Sequence, residues 1–302
     1  MARPKSIVTK LLILLLCLLA GTLLGNGIMI GTLYITGIDG PSSASLSDLL
    51  SSTDSKPLVM ALIGVSHFCL FVVSACLYWL MTREEGLTEY FHIRGHIRWD
   101  LLSLLVLLLL ASYPLVGAAG LVTEYLPMPD WLISHDDVYA DTIYAMLGGR
   151  GFSQLLLNII VIALLPAIGE ELIFRGIVQR ELQLAMPNVH VTILITSIIF
   201  SAIHLQAEGF LPKLVISYIL CYAYHWADNI LYPMLLHFIN NAGMTVALYM
   251  SSDMTDEMAQ LPPQEFPWLG VAISLFLCAV IVRSIYQLPK VSRATIPNGE
   301  PN

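Results

Sequence analysis

Two adjacent carboxylates, Glu170 and Glu171, stand at the foot of a long apolar run, with Arg175 just beyond them. A charged side chain near the bilayer centre costs about 2.5–3.5 kcal/mol on insertion scales, so charges kept there point to function. Residues four apart share a helical face, so Glu171 and Arg175 can pair. Glu170 projects about 100° away from Glu171 and needs a different partner. Two further polar groups interrupt apolar runs: Phe200-Ser201-Ala202-Ile203-His204 and His237-Phe238-Ile239-Asn240-Asn241. His237 and Asn241 are four apart and face the same way. Asn240 lies close to that face, so spacing leaves the choice between the two amides open. His67 and His225 are lone histidines in apolar runs and are read as hydrogen-bonded packing residues.

The chemistry narrows by residue type. No serine or cysteine sits in a recognisable nucleophile context, the HExxH pattern is absent, and no pair of aspartates lies within the apolar runs. Glu170 with His204 can deprotonate a water for attack on an amide carbonyl. His237 and Asn241 can donate hydrogen bonds to the oxyanion that develops. A glutamate and two histidines are also a zinc-ligand set, so residue types alone do not exclude that metal. Pro166 precedes Glu170 by four residues, and Pro233 precedes His237 by four. Each proline deprives the carbonyl four residues earlier of its helical donor. Such breaks are tolerated where a polar cavity satisfies the freed carbonyl, so a wet intramembrane cavity is expected here.

These stretches resemble the CPBP family of CAAX-processing and bacteriocin-processing intramembrane proteases. The resemblance rests on Glu170-Glu171-x-x-x-Arg175, Phe200-x-x-x-His204 and His237-x-x-x-Asn241, in that order, and covers about residues 150 to 250. It implies an all-helical glutamate-type endopeptidase like the type II CAAX prenyl endopeptidases. Glu170 and His204 would activate water, His237 and Asn241 would form the oxyanion hole, and Glu171–Arg175 would support them. It implies that no metal or other cofactor is required. The implied partners are a peptide or membrane-protein substrate and the lipid bilayer.

The elements that must position these residues follow from composition. Of the 302 residues, 57% are hydrophobic and 12% charged, against about 25% charged in soluble domains. The expected fold is therefore an all-α integral membrane protein. About eight spans are expected, near residues 11–38, 58–81, 101–122, 152–169, 189–206, 211–226, 230–250 and 268–286. Residues 172–186 read as a helical continuation or an interfacial piece. Residues 39–57, 123–150 and 251–266 read as acidic loops. Gly21/Gly25 and Gly27/Gly31 have the spacing of close helix packing. The expected organisation is an N-terminal membrane region (1–150), a catalytic core (151–250), and a last loop, span and tail (251–302).

Basic residues gather at the N-terminus, in 82–99 and after 286, which places both termini in the cytoplasm. The expected location is a cell membrane, with the short basic N-terminus and compact size suggesting a bacterial inner membrane. The net charge of −8 and the scattered basic residues leave no basis for nucleic-acid binding. The five cysteines lie in apolar runs without a CxxC pair, which suggests neither zinc nor a disulfide framework. Two other uses of such a fold remain open. One is a non-catalytic immunity or scaffold protein. The other is a transporter whose polar residues line a pathway, although no internal repeat is visible.

Overall fold

A computed structural model describes residues 6–38, 46–52, 54–82, 85–148, 151–251 and 267–289. Among these residues every regular element is helical. The elements are α1 (Ile7–Thr36), α2 (Leu46–Ser51), α3 (Lys56–Thr82), α4 (Leu87–Tyr90), α5 (Trp99–Glu124), α6 (Asp130–Leu147), α7 (Phe152–Ala185), α8 (Val189–Ala202), α9 (Phe210–Ala227), α10 (Leu231–Ser251) and α11 (Trp268–Gln287). By length and composition, α1, α3, α5, α7 and α11 can cross a membrane. This is a multi-pass membrane protein. Of the other three expected spans, α8 is apolar but short, and α9 and α10 carry more polar residues.

Local chemistry sets several ends. Ser6 accepts from the Thr9 N–H at 3.2 Å to start α1, and Gly37, at φ 69°, ends it. Asn188 opens α8 by accepting from the His190 and Val191 N–H groups at 3.0 and 3.3 Å. Both are side-chain or glycine solutions to the unpaired backbone groups of a helix end.

Two expectations change. Residues 130–147 are helical rather than a loop. Asp130, Asp136, Asp137 and Asp141 interrupt its apolar residues, which masks a helix whose apolar content is too low for a span. The fourth span does not stop at Gly169, and residues 172–185 follow the continuation reading, not the interfacial one. α7 runs unbroken for 34 residues, about 50 Å at the standard rise, so the acidic pair sits near its middle. Two stretches of α7 are π-helical, Ile159–Leu164 and Phe174–Gln179, and they flank the pair. A third π stretch, Cys69–Val73, lies in α3. Extra-residue bulges of this kind re-aim side chains and often accompany functional sites. The 251–266 loop lies almost wholly outside the described residues.

Two apolar clusters flank this region. One joins Leu14, Phe71, Tyr78, Phe91, Phe174 and Ile177 from α1, α3, α7 and the chain after α4. The other joins Leu105, Leu109, Leu220, Leu236 and Ile285 from α5, α9, α10 and α11. Glycines bring the first group close. A Cβ on Gly25 would lie 2.8 Å from Ser66 Cα, and one on Gly169 would lie 2.7 Å from Phe71 Cβ. Gly21 faces Ser74 and the Cys69 carbonyl, whereas Gly27 and Gly31 meet nothing. Of the two expected glycine pairs, only the first is used for packing.

Candidate active site

Where α7, α8, α9 and α10 meet, Glu171 and Arg175 are fully buried, and Glu170 and His237 nearly so. Glu171 Oε1 accepts from Arg175 Nη1 at 2.7 Å and from His237 Nδ1 at 2.7 Å. Arg175 Nη2 donates to Ser217 O at 3.0 Å and to Ser217 Oγ at 2.9 Å. The guanidinium also lies over the Phe200 ring, 4.9 Å from its centroid. One carboxylate thus ties α7 to α10, and its arginine ties α7 to α8 and α9. A buried pair like this is fixed by its partners, because removing one strands a charge away from water.

Glu170 is differently placed. Its Oε2 stands 4.0 Å from His237 Nε2, and its Oε1 stands 3.9 Å from His67 Nε2. Both separations exceed a hydrogen bond. The carboxylate lies between two imidazoles from different helices without being consumed by either. Lys213, near the start of α9, and Tyr139, on α6, lie within electrostatic range of Glu170. α6 also reaches the chain after α8, since Asp136 Oδ2 accepts from the Glu208 N–H at 3.0 Å.

His204 lies two residues beyond α8. Its Nδ1 is 2.7 Å from the Phe200 carbonyl. A carbonyl only accepts, so Nδ1 carries the proton and Nε2 keeps its lone pair. Leu205 follows at φ 50°, an uncommon conformation for a leucine. His204, His237 and His67 lie within electrostatic range of one another. Phe200 organises the rings: Phe174 and His204 stand 5.0 Å from it, and His237 stands 6.1 Å away.

The amides serve the helix break. Ile162 lies four residues before Pro166, so its carbonyl lacks the usual N–H partner. Asn241 Nδ2 donates to Ile162 O at 3.3 Å. Asn240 Nδ2 donates to Asn241 Oδ1 at 3.0 Å, and Tyr113 Oη reaches Asn240 Oδ1 at 3.5 Å. Both amides therefore belong to one chain of hydrogen bonds.

The structure thus gathers Glu170, Glu171, Arg175 and His237 directly. It places His204 beside them through Phe200, and it joins Asn241 to α7 through Ile162. Spacing gave no sign of His67, Ser217 or Lys213, which come from other helices. Among the described residues, no group of three or more His, Cys, Asp and Glu side chains is arranged to hold a metal ion.

Comparisons with known proteins bear on this segment. An uncharacterized protein, YpbD, from Bacillus subtilis (strain 168) is 34% identical over 89 residues, covering 28% of this chain and 42% of the Bacillus protein. The chain therefore spans less than half the length of that relative. No solved structure gives a significant match. Residues 152–243 match the family described as type II CAAX prenyl endopeptidase Rce1-like. That match begins with α7 and ends within α10, so the segment from Phe152 to Gly243, which carries the polar cluster, is the part of the chain that is similar to that endopeptidase family.

Proposed function

We propose that this protein is an intramembrane endopeptidase in which Glu170 and His204 activate a water and His237 and Asn241 stabilise the oxyanion. The observation that carries this reading is the unequal use of the acidic pair. Glu171 is committed to Arg175 and His237. Glu170 is buried in the same cluster, with its oxygens 3.9 and 4.0 Å from imidazole nitrogens. A buried carboxylate whose oxygens stand near imidazoles but beyond hydrogen-bond distance of them has the character of a proton acceptor.

The steps use groups already in place. Glu170, with the bare Nε2 of His204 nearby, takes a proton from water as its oxygen attacks the peptide carbonyl. The carbonyl carbon becomes tetrahedral and its oxygen becomes an oxyanion. Asn241 has two amide N–H bonds. One is directed at Ile162 O and fixes the side chain, and the other remains for the oxyanion. His237, held through Nδ1 by the Glu171 carboxylate, donates from Nε2 when its ring carries both protons. Collapse breaks the C–N bond, and the proton held by Glu170 and His204 passes to the leaving amine.

The substrate class is a peptide or membrane protein presented from the bilayer. No metal is needed for any step, and no nucleic acid takes part. Eight spans, with both termini in the cytoplasm of a bacterial inner membrane and a polar cavity around Glu170, accommodate this reading.

The test is cleavage of a labelled peptide by purified protein in detergent. Glu170→Ala, His204→Ala and His237→Ala should each abolish turnover while the protein stays folded. Strong chelators should leave wild-type turnover intact. Undiminished cleavage by Glu170→Ala would overturn the mechanism, and loss of activity on chelation would replace it with metal-dependent hydrolysis.

A further inference from the structure

We propose that His67, on α3 and outside the matched 152–243 segment, is a positioning residue for Glu170. The inference rests on the reading of Glu170 as the water-activating base. His67 Nε2 lies 3.9 Å from Glu170 Oε1, while His237 Nε2 lies 4.0 Å from the other oxygen. The two imidazoles therefore address the two oxygens of one carboxylate separately. His67 Nε2 is buried and has no hydrogen-bond partner among the described residues. A packing histidine normally satisfies such a nitrogen, because leaving it unpaired costs about 1–3 kcal/mol. Here the polar group within reach is the Glu170 carboxylate.

The surrounding structure fixes the ring in that direction. His67 packs on Phe71, with ring centroids 4.5 Å apart. Phe71 belongs to the π-helical stretch of α3 and approaches α7 at Gly169, where a Cβ would lie 2.7 Å from Phe71 Cβ. The lack of a side chain at Gly169 lets α3 close on α7 at the residue next to Glu170. The negative carboxylate favours the tautomer with its proton on Nε2. That N–H engages Oε1 either after a small closure or through one water. Oε1 is then held, and Oε2 is left on the His237 side to take the proton from the attacking water. His67 does not touch the reacting atoms in this arrangement. It restrains the torsion of the base that does.

Two variants separate this role from packing. His67→Phe keeps a ring against Phe71 but removes the donor. His67→Gln places an amide N–H near the position of Nε2. The expected result in the peptide assay is a kcat lowered about 10- to 100-fold in His67→Phe, with KM unchanged and kcat substantially restored in His67→Gln. Wild-type kcat in His67→Phe, or equal impairment of both variants, would overturn the proposal.

A second measurement does not depend on turnover. Nitrogen NMR of histidine-labelled protein, assigned with His67→Gln, should find the His67 proton on Nε2 in wild type and a shift towards Nδ1 in Glu170→Ala. A His67 signal indifferent to Glu170→Ala would overturn the pairing, even in an active enzyme. A responsive signal in a protein without peptidase activity would keep the pairing and discard the activity reading instead.

Discussion

Glu171 Oε1 receives two charge-assisted donors, one from Arg175 and one from His237, and Glu171 and Arg175 are both fully buried. Glu171→Ala should therefore cost folding as well as activity. The expected loss is about 3–5 kcal/mol, because Arg175 would remain buried and uncompensated. Thermal melting of the purified variant in detergent checks this. A dead variant as stable as wild type would move Glu171 into the chemistry itself. Glu170 should behave in the opposite way, its removal ending turnover at little cost in melting temperature. Asn241→Ala should lower kcat by about 10²–10³-fold, the usual effect of losing one oxyanion donor. It should also destabilise α7, since Ile162 O loses its partner. Full activity in Asn241→Ala would hand the oxyanion to Asn240 or to backbone N–H groups. The Glu171–Arg175 contact was legible in sequence because both residues ride one helix at a fixed spacing. His67 was not, because nothing in the local pattern of α3 encodes which face of α7 it meets.

The helices translate small features of sequence into this arrangement. Gly169 is the clearest case. Gly169→Val should sharply reduce folded yield, because Phe71 occupies the space the side chain would enter. Gly27→Val, where nothing lies within 4 Å, should be near neutral in the same size-exclusion assay. Equal behaviour of the two variants would mean that α3 does not close on α7 as described. Pro166 offers a subtler contrast. Pro166→Ala supplies an N–H that competes for Ile162 O, so α7 should gain regularity while Asn241 loses its anchor. The expected outcome is an unchanged or higher melting temperature with a lower kcat. The prolines were visible in sequence, and so was the need to satisfy a freed carbonyl. The group that satisfies it was not, because Asn241 arrives from a helix nearly eighty positions later. α6 was missed for a different reason. It mixes acids with isolated apolar residues after two prolines, a composition that also describes a loop.

At the level of the whole chain, hydropathy located the long apolar helices well, because each must carry an almost unbroken apolar surface. It was weaker for α8, α9 and α10, which pack against one another around the polar cluster and so carry shorter or more polar sequences. The proposed topology is open to direct measurement. In a cysteine-free background, single cysteines at Asp136 and at Tyr286 should be labelled by an impermeant reagent from opposite sides of the membrane, Asp136 from outside. Labelling of both from one side would refute the eight-span arrangement. The bond from Asn241 to Ile162 reaches further than the mechanism. A chain of this fold that had abandoned hydrolysis would still require Asn241, Glu171 and Arg175, because they hold helices together. It would have less reason to keep Glu170, whose oxygens stand 3.9 and 4.0 Å from His67 and His237, beyond a direct hydrogen bond. Among these residues Glu170 is thus the one whose loss would mark a vestigial enzyme, and here it is in place.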